Sequence, residues 1–353
     1  MFRKGIAFAI VAAALLVRTE PPSSGDEIFL YRAVEKVSPG LFPLNQGNVG
    51  TCVSFGYGAA CDILLAMDKV AGKSSKFVPV AEESLYGGMR VEGANRTFGG
   101  WSDGSSGYAA QRWLTKAGGA IYRQVYTFPK YTVDLTKYDP QRARNWGAYG
   151  NGGQEDGPNN GPLDQEARKA PVKSAVLVKT LEELDVALKN GYPVPICSGQ
   201  GFSNVRDKDG FCRAQGRWAH CMVIVGKRNG GRKGYLILNS WGSSWVSGPK
   251  YRDQPDGSFY AEPSVVLRIL QANDSYALSG QSGFVRNILP FWMLSADAKI
   301  PADEQPAPKA DLDSLVYMGA DGVWYFKDPD TNVVYRYAAG KWWDCSSGTC
   351  RSR

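Results

Sequence analysis

The apolar residues of this chain keep two different rhythms, and the change between them limits what it can fold into. From Cys52 onward, Phe55, Ala59, Ile63, Met67 and Val70 recur at spacings of three and four, the period of a helix with a buried face, and Gly72 stops it. PVAEESLYGG, residues 79–88, reads as another helical turn with acids at its N-terminal end. SGYAAQRWLTKAGG, residues 106–119, reads as a third helix closed by Gly118 and Gly119. Thr180 and Glu183 form a capping box for the helix LEELDVALKNG. After it, YPVPICSG, AHCMVIVGK and GYLILNS are short runs rich in Val, Ile and Leu, the last two joined by the hairpin signal RNGGRK. Further strands are expected near residues 257–270. Helices early and strands late predict an α+β fold of two subdomains with a cleft between them.

Two stretches break the pattern. Residues 139–170 are polar and rich in Gly, Asn and Pro, and are expected to form a long surface loop. PADEQPAPKADLD, residues 301–313, is rich in Pro, Ala and acids and reads as a linker. The expected division is therefore a main domain over 21–296, a linker over 297–313 and a small β module over 314–353. That module should hold three or four short strands, with turns at 320–322 and 328–330. Its Tyr317, Trp324, Tyr325, Tyr335, Tyr337, Trp342 and Trp343 form either a stacking surface for a polymer or cell surface, or simply the core of a small sheet.

Phe2-Arg3-Lys4 precedes the apolar run IAFAIVAAALLV at 6–17, which is short for a bilayer span. Residues 1–20 read as an export signal, which predicts a secreted or periplasmic protein; a membrane anchor at 6–17 and a buried helix are the alternatives. The 353 residues are 43% hydrophobic and 21% charged, a balance that excludes a disordered chain. The net charge of +7 is spread without a basic run, so no nucleic-acid partner is expected.

Seven cysteines, at 52, 61, 197, 212, 221, 345 and 350, suit an oxidising compartment. If one thiol, expected to be Cys52, stays free for chemistry, the other six can form up to three disulfides, and Cys345 and Cys350 are the easiest local pair. No cofactor is expected, and no zinc, because His220 is the single histidine and no CxxC pair occurs. A thiol attacks as thiolate, and the partial positive charge at a helix N-terminus lowers its pKa. Cys52 stands at such a terminus. Only His220 can supply an imidazole to take its proton, although a histidine entering an apolar strand is more often structural. The imidazole needs an orienting partner, and Asn239, at the end of the strand that the hairpin pairs with His220's strand, is placed to provide one. Gln46's side-chain amide and the Cys52 N–H are candidate oxyanion donors, with Gly47 and Gly50 letting the loop bend back. Taken singly, Cys52 also reads as a disulfide partner, Gln46 and Asn239 as turn residues, and Trp241 as core.

In their order along the chain, these residues resemble the papain family of cysteine peptidases. Gln46-Gly47 followed by Cys52 matches that family's glutamine-to-cysteine spacing, and Ser54-Phe55 fit the start of its central helix. WAHCMVIVG, residues 218–226, resembles its histidine strand, and NSWGSSW, residues 239–245, matches its Asn-Ser-Trp-Gly-x-x-Trp segment. The resemblance spans roughly residues 40–270. It implies a helical half and a β-barrel-like half flanking a cleft, and a thiol-dependent endopeptidase that cuts polypeptide substrates through an acyl-enzyme. It further implies Cys52 as nucleophile, His220 as general acid and base, Asn239 as its orienting partner and Gln46 as oxyanion donor. Trp241 would shield the His220 to Asn239 hydrogen bond from water.

The chain also departs from the family pattern. Val49 stands where a cysteine is usual, which removes one standard disulfide, and Val53 replaces the tryptophan that usually follows the nucleophile. Only residues 18–45 lie between the apolar run and Gln46, so inhibition by a long N-terminal prodomain is not expected. Either Gly99-Gly100 or the 105–107 stretch could stand for the family's Gly-Gly beside the cleft. Two other functions stay open: a binding or scaffold protein that keeps the fold without turnover, and the same site acting on cell-wall peptides or as an acyltransferase.

Overall fold

The computed structural model describes residues 27–94, 103–148, 161–170, 172–284, 287–295 and 298–301, and five strands between 316 and 352. Strand β1 (Ile28–Phe29) leads into helix α1 (Tyr31–Val37), and α2 (Cys52–Val70) follows as the long helix the periodicity predicts. Helix α3 (Glu82–Gly88) and helix α4 (Gly107–Arg112) each run on into a π-helical turn, Met89–Gly93 and Trp113–Ala117. The hairpin β2 (Val125–Thr127) with β3 (Thr132–Asp134) precedes α5 (Pro140–Gly147), α6 (Pro162–Ala167), β4 (Ser174–Leu177) and α7 (Leu181–Lys189). In α7 the Thr180 side chain and Glu183 exchange the bonds of the expected capping box.

The second half is built on β5 (Val194–Arg206), β6 (Cys212–Arg228) and β7 (Gly234–Leu238), followed by β8 (Ser258–Ala261), α8 (Pro263–Leu270) and β9 (Tyr276–Ser279). The long β6 pairs antiparallel with β5, β1 and β7, and β8 closes the far side of β7. A separate ladder joins β4 to β9. The architecture is α+β, with helices concentrated before residue 190 and a mixed-length antiparallel sheet after it. Buried side chains from both halves form one contiguous core.

Helix α2 is buried almost all round from Cys52 to Ile63, because it lies between α1, α3 and the face of β6. Gly56 makes the approach to the sheet possible: a Cβ there would sit 3.1 Å from both Cys221 Sγ and the Met222 carbonyl oxygen. The start of α2 is thereby carried to the strand that holds His220.

The structure corrects three expectations. The 139–170 stretch is no uniform loop, since α5 and α6 lie within it; the Asp139 carboxylate caps α5 by accepting from Gln141 and Arg142 N–H, and Ala143 and Trp146 are buried. The 257–270 stretch holds one strand, and PSVVLRIL after it is helix α8, with Pro263 in its first turn and Val265, Val266, Ile269 and Leu270 on the buried face. Cys52 is not the one unpaired thiol, because Cys61, Cys197, Cys212 and Cys221 are also free.

In the C-terminal segment, β10 (Val316–Met318), β11 (Trp324–Lys327), β12 (Val334–Ala338), β13 (Lys341–Asp344) and β14 (Arg351–Ser352) form an antiparallel meander in that order. The apolar run at 6–17, the expected turns at 320–322 and 328–330, and Cys345 and Cys350 lie outside the described residues. Among the described residues, no helix is long and apolar enough to cross a membrane.

Candidate active site

Cys52 is the first residue of α2, 7% exposed, and it lines a cavity of about 540 Å³ together with His220, Gly50, Asp103, Cys197 and Asp274. Burial pushes its thiol up to about 11, against the hydrogen bonding from the Cys221 and Val53 backbone that lowers it. Burial also holds His220 below its ordinary value, against the bond to Asn239. Burial thus opposes charge on both groups, and the helix terminus does not by itself lower the Cys52 thiol.

His220 Nε2 lies 2.7 Å from Asn239 Oδ1. The same oxygen accepts the Ser240 backbone N–H at 2.7 Å, so it acts as an acceptor toward both, and His220 carries its proton on Nε2. Nδ1 is then left as the basic nitrogen. The hairpin supplies this pairing: Val223 stands opposite Leu238, which places His220 and Asn239 near the same end of β6 and β7. The Asn239 Nδ2 group is buried without a hydrogen-bond partner.

The Trp241 ring lies over the His220 ring, centroids 4.5 Å apart and planes tilted by 30°. Trp218 packs 5.0 Å from Trp241, and Trp245 packs 5.6 Å from it with its indole N–H given to the Gly257 carbonyl. Trp218 was open to detection in the sequence, because it stands two residues before His220 on a strand and so shares its face.

Gln46 is buried and ties the loop before Cys52 to the strand end beyond Asn239. Its Nε2 donates to the Val49 carbonyl at 2.9 Å, its Oε1 accepts from Ser240 Oγ at 2.7 Å, and its backbone N–H donates to the Ser240 carbonyl at 2.8 Å. Asn45 bridges to Trp241, and the Gly242 N–H donates to the Leu44 carbonyl at 2.9 Å. Residues 44–46 and 240–242 are thus strapped together, with Gly47 (φ +66°) and Gly242 (φ +76°) in the left-handed conformations this crossing requires.

The two departures from the family pattern both have packing roles. Val49 is buried against Tyr86 and Ala143, and Val53 lies on the cavity wall. Asp103, which sequence reasoning missed, latches the same loop from the other side. Its carboxylate accepts the Gly50 N–H at 2.7 Å, the Gly104 N–H at 3.0 Å and the Tyr86 hydroxyl. Burial raises Asp103, but these three donors outweigh it and hold the carboxyl below its ordinary value. Cys197 and Cys221 face each other across β5 and β6 with their sulfurs 2.7 Å apart, and Cys197 opens onto the cavity. Among the described residues, no group of three or more His, Cys, Asp or Glu side chains could hold a metal ion.

No family model matches the sequence, and no curated protein matches it. Among solved structures, the chain is similar to xylellain, a cysteine protease from Xylella fastidiosa, at 15% identity over 72% of this chain and 85% of that one, with a TM-score of 0.45. It is similar to digestive procathepsin L 3 of the Tenebrio molitor larval midgut, at 15% identity over 74% and 71% of the two chains, with a TM-score of 0.44. It is also similar to procathepsin B S9 from Trypanosoma congolense, at 13% identity over 74% and 78%, with a TM-score of 0.43.

Proposed function

We propose that the protein is a cysteine peptidase that hydrolyses peptide bonds through an acyl-enzyme on Cys52, in a secreted or periplasmic setting. The observation that carries the reading is the buried His220 Nε2 to Asn239 Oδ1 bond of 2.7 Å, with His220 on the same cavity as Cys52. Nδ1 of His220 takes the Cys52 proton as the sulfur attacks the substrate carbonyl, which forms the C–S bond and places the negative charge on the carbonyl oxygen. The Cys52 N–H and the second N–H of the Gln46 amide, beside the one given to Val49, are the donors for that oxyanion. The imidazolium, still held by Asn239, gives its proton to the leaving amine. A water molecule, deprotonated by the neutral imidazole, then releases the acid and restores the thiol. Trp241 over the imidazole keeps water from competing for the Asn239 oxygen.

One observation favours a second reading, a scaffold that keeps the fold without turnover: Cys52 and His220 are both buried, which opposes the charge each must carry in turnover. An epoxide-based irreversible inhibitor of thiol peptidases, followed by mass mapping, separates the two. Labelling at Cys52 with digestion of denatured casein, both abolished in Cys52→Ala, is the expected result. An unlabelled Cys52 with no digestion across pH 4 to 9 would leave the scaffold.

A further inference from the structure

Three thiols meet at the start of α2. Cys52 and Cys197 line the same cavity, and Cys221 is the direct partner of Cys197 across β5 and β6. The Cys197 and Cys221 sulfurs are 2.7 Å apart, and hydrogen bonding from the Cys221 backbone reaches the Cys52 sulfur. Two facing interior positions of a sheet are ordinarily filled by bulkier apolar side chains. The neighbouring rungs follow that habit, with Ile196 opposite Met222 and Pro195 opposite Val223, whereas the two thiols share a rung that touches the cavity.

The backbone is set for a bond between them. The register of β5 on β6 is unbroken from Val194 to Ser198. Facing residues of an antiparallel pair have Cα atoms about 4.5–5.5 Å apart, inside the about 4.4–6.8 Å that a disulfide spans. The two thiols differ in access. Cys221 is fully buried, and that burial pushes its thiol well above the ordinary value. Cys197 opens onto the cavity, so a small reagent that enters there meets Cys197 first. Cys61 and Cys212, also free, do not line the cavity.

We propose that Cys197 and Cys221 are a redox-active dithiol, closed to a cross-strand disulfide by a hydroperoxide that enters through the cavity. Cys197, as thiolate, attacks the O–O bond and keeps one oxygen as a sulfenic acid; the other oxygen leaves and takes the proton, as an alcohol or water. The Cys221 sulfur then bonds to the Cys197 sulfur, and the hydroxyl departs with the Cys221 proton as water. A small thiol reverses the change: it attacks the Cys197 sulfur, its proton passes to Cys221, and a second thiol releases Cys197 by forming the external disulfide. Closing the pair leaves Cys52 as the one free thiol on the cavity among the described residues, with no neighbouring thiol to trap it when it is oxidised. No step uses Cys52, so the inference stands apart from the peptidase reading.

The test maps the reduced full chain after hydrogen peroxide, an acid quench, unfolding and alkylation with N-ethylmaleimide. The alkylated peptides of Cys197 and Cys221 should be lost together and replaced by one linked pair, lighter by two hydrogens, which dithiothreitol reverses. The same link should form in Cys52→Ala. Access gives a second readout, with glutathione disulfide as the probe: Cys197 should carry glutathione in Cys221→Ala, and Cys221 should stay unmodified in Cys197→Ala until the chain is unfolded. The link in the wild type needs no variant and decides the matter if these fail to fold. Cys197 and Cys221 both alkylated after peroxide, a link from Cys52 to Cys197 in its place, or glutathione on Cys221 in folded Cys197→Ala overturns the proposal. A linked pair in a protein that digests no casein would tell against the peptidase reading alone and leave this one standing.

Discussion

At the scale of single residues, the tautomer of His220 decides what the site can do. Asn239 Oδ1 accepts from both Ser240 N–H and His220 Nε2, so the imidazole is held with Nδ1 as its base. Asn239→Ala removes that acceptor, and the ring is free to turn or to exchange its proton. With the thiol intact, kcat should fall about 10²-fold, the worth of a well-placed general acid and base, while the two buried donors left without their acceptor lower stability by about 1–3 kcal/mol. Steady-state kinetics beside a thermal melt checks this, and an unchanged kcat would remove Asn239 from the mechanism. Cys52, His220 and Asn239 were legible in the sequence because local rules place each of them: a helical period, a strand and a hairpin. Asp103 and Asp274 were not legible. Asp103 serves an N–H of residue 50, and Asp274 serves those of 107 and 108, contacts that exist only once distant segments have packed.

At the scale of elements, the contact of α2 with β6 sets the distance between Cys52 and His220. Gly56 is a point of close approach, and the Met222 carbonyl it faces belongs to a strand paired on both sides, which has little freedom to retreat. Gly56→Ala would ordinarily favour a helix; Gly56→Val adds bulk that the gap does not hold. For the valine variant the expected cost is about 1–3 kcal/mol in denaturant unfolding, with a loss of activity larger than the loss of folded protein. Activity that simply follows the folded fraction would show that the helix can shift without harm. Element type was legible where periodicity was strong, as in α2 and α7. It was not legible in α5, whose buried positions are only Ala143, Trp146 and Gly147, nor in α8, whose β-branched run reads as a strand until Pro263 is recognised as its first turn.

At the scale of the whole molecule, a buried acid couples stability to pH. Asp62, on α2, accepts the Val80 N–H with one oxygen, while its other oxygen is buried without a partner. Burial, and after it the neighbouring Glu82, raises its carboxyl well above the ordinary value. A raised folded-state pKa means that its contribution is fully present below the unfolded value of about 4 and is lost as pH rises toward the folded value. Asp62→Asn has no proton to lose, so its melting temperature should gain on the wild type between about pH 4 and pH 7. A constant difference across that range would show that Asp62 does not titrate differently in the folded and unfolded chain.

The strap between residues 44–46 and 240–242 carries one more consequence. It joins a segment near the start of the domain to one nearly two hundred residues later, so neither can open while the other stays closed. The amide hydrogens of Gln46 and Gly242 should therefore exchange with solvent deuterium only as fast as the domain unfolds globally, and activity should vanish at the same denaturant concentration as the folded signal. A site assembled this way has no partly open form for a protease to clip: it is either whole or gone.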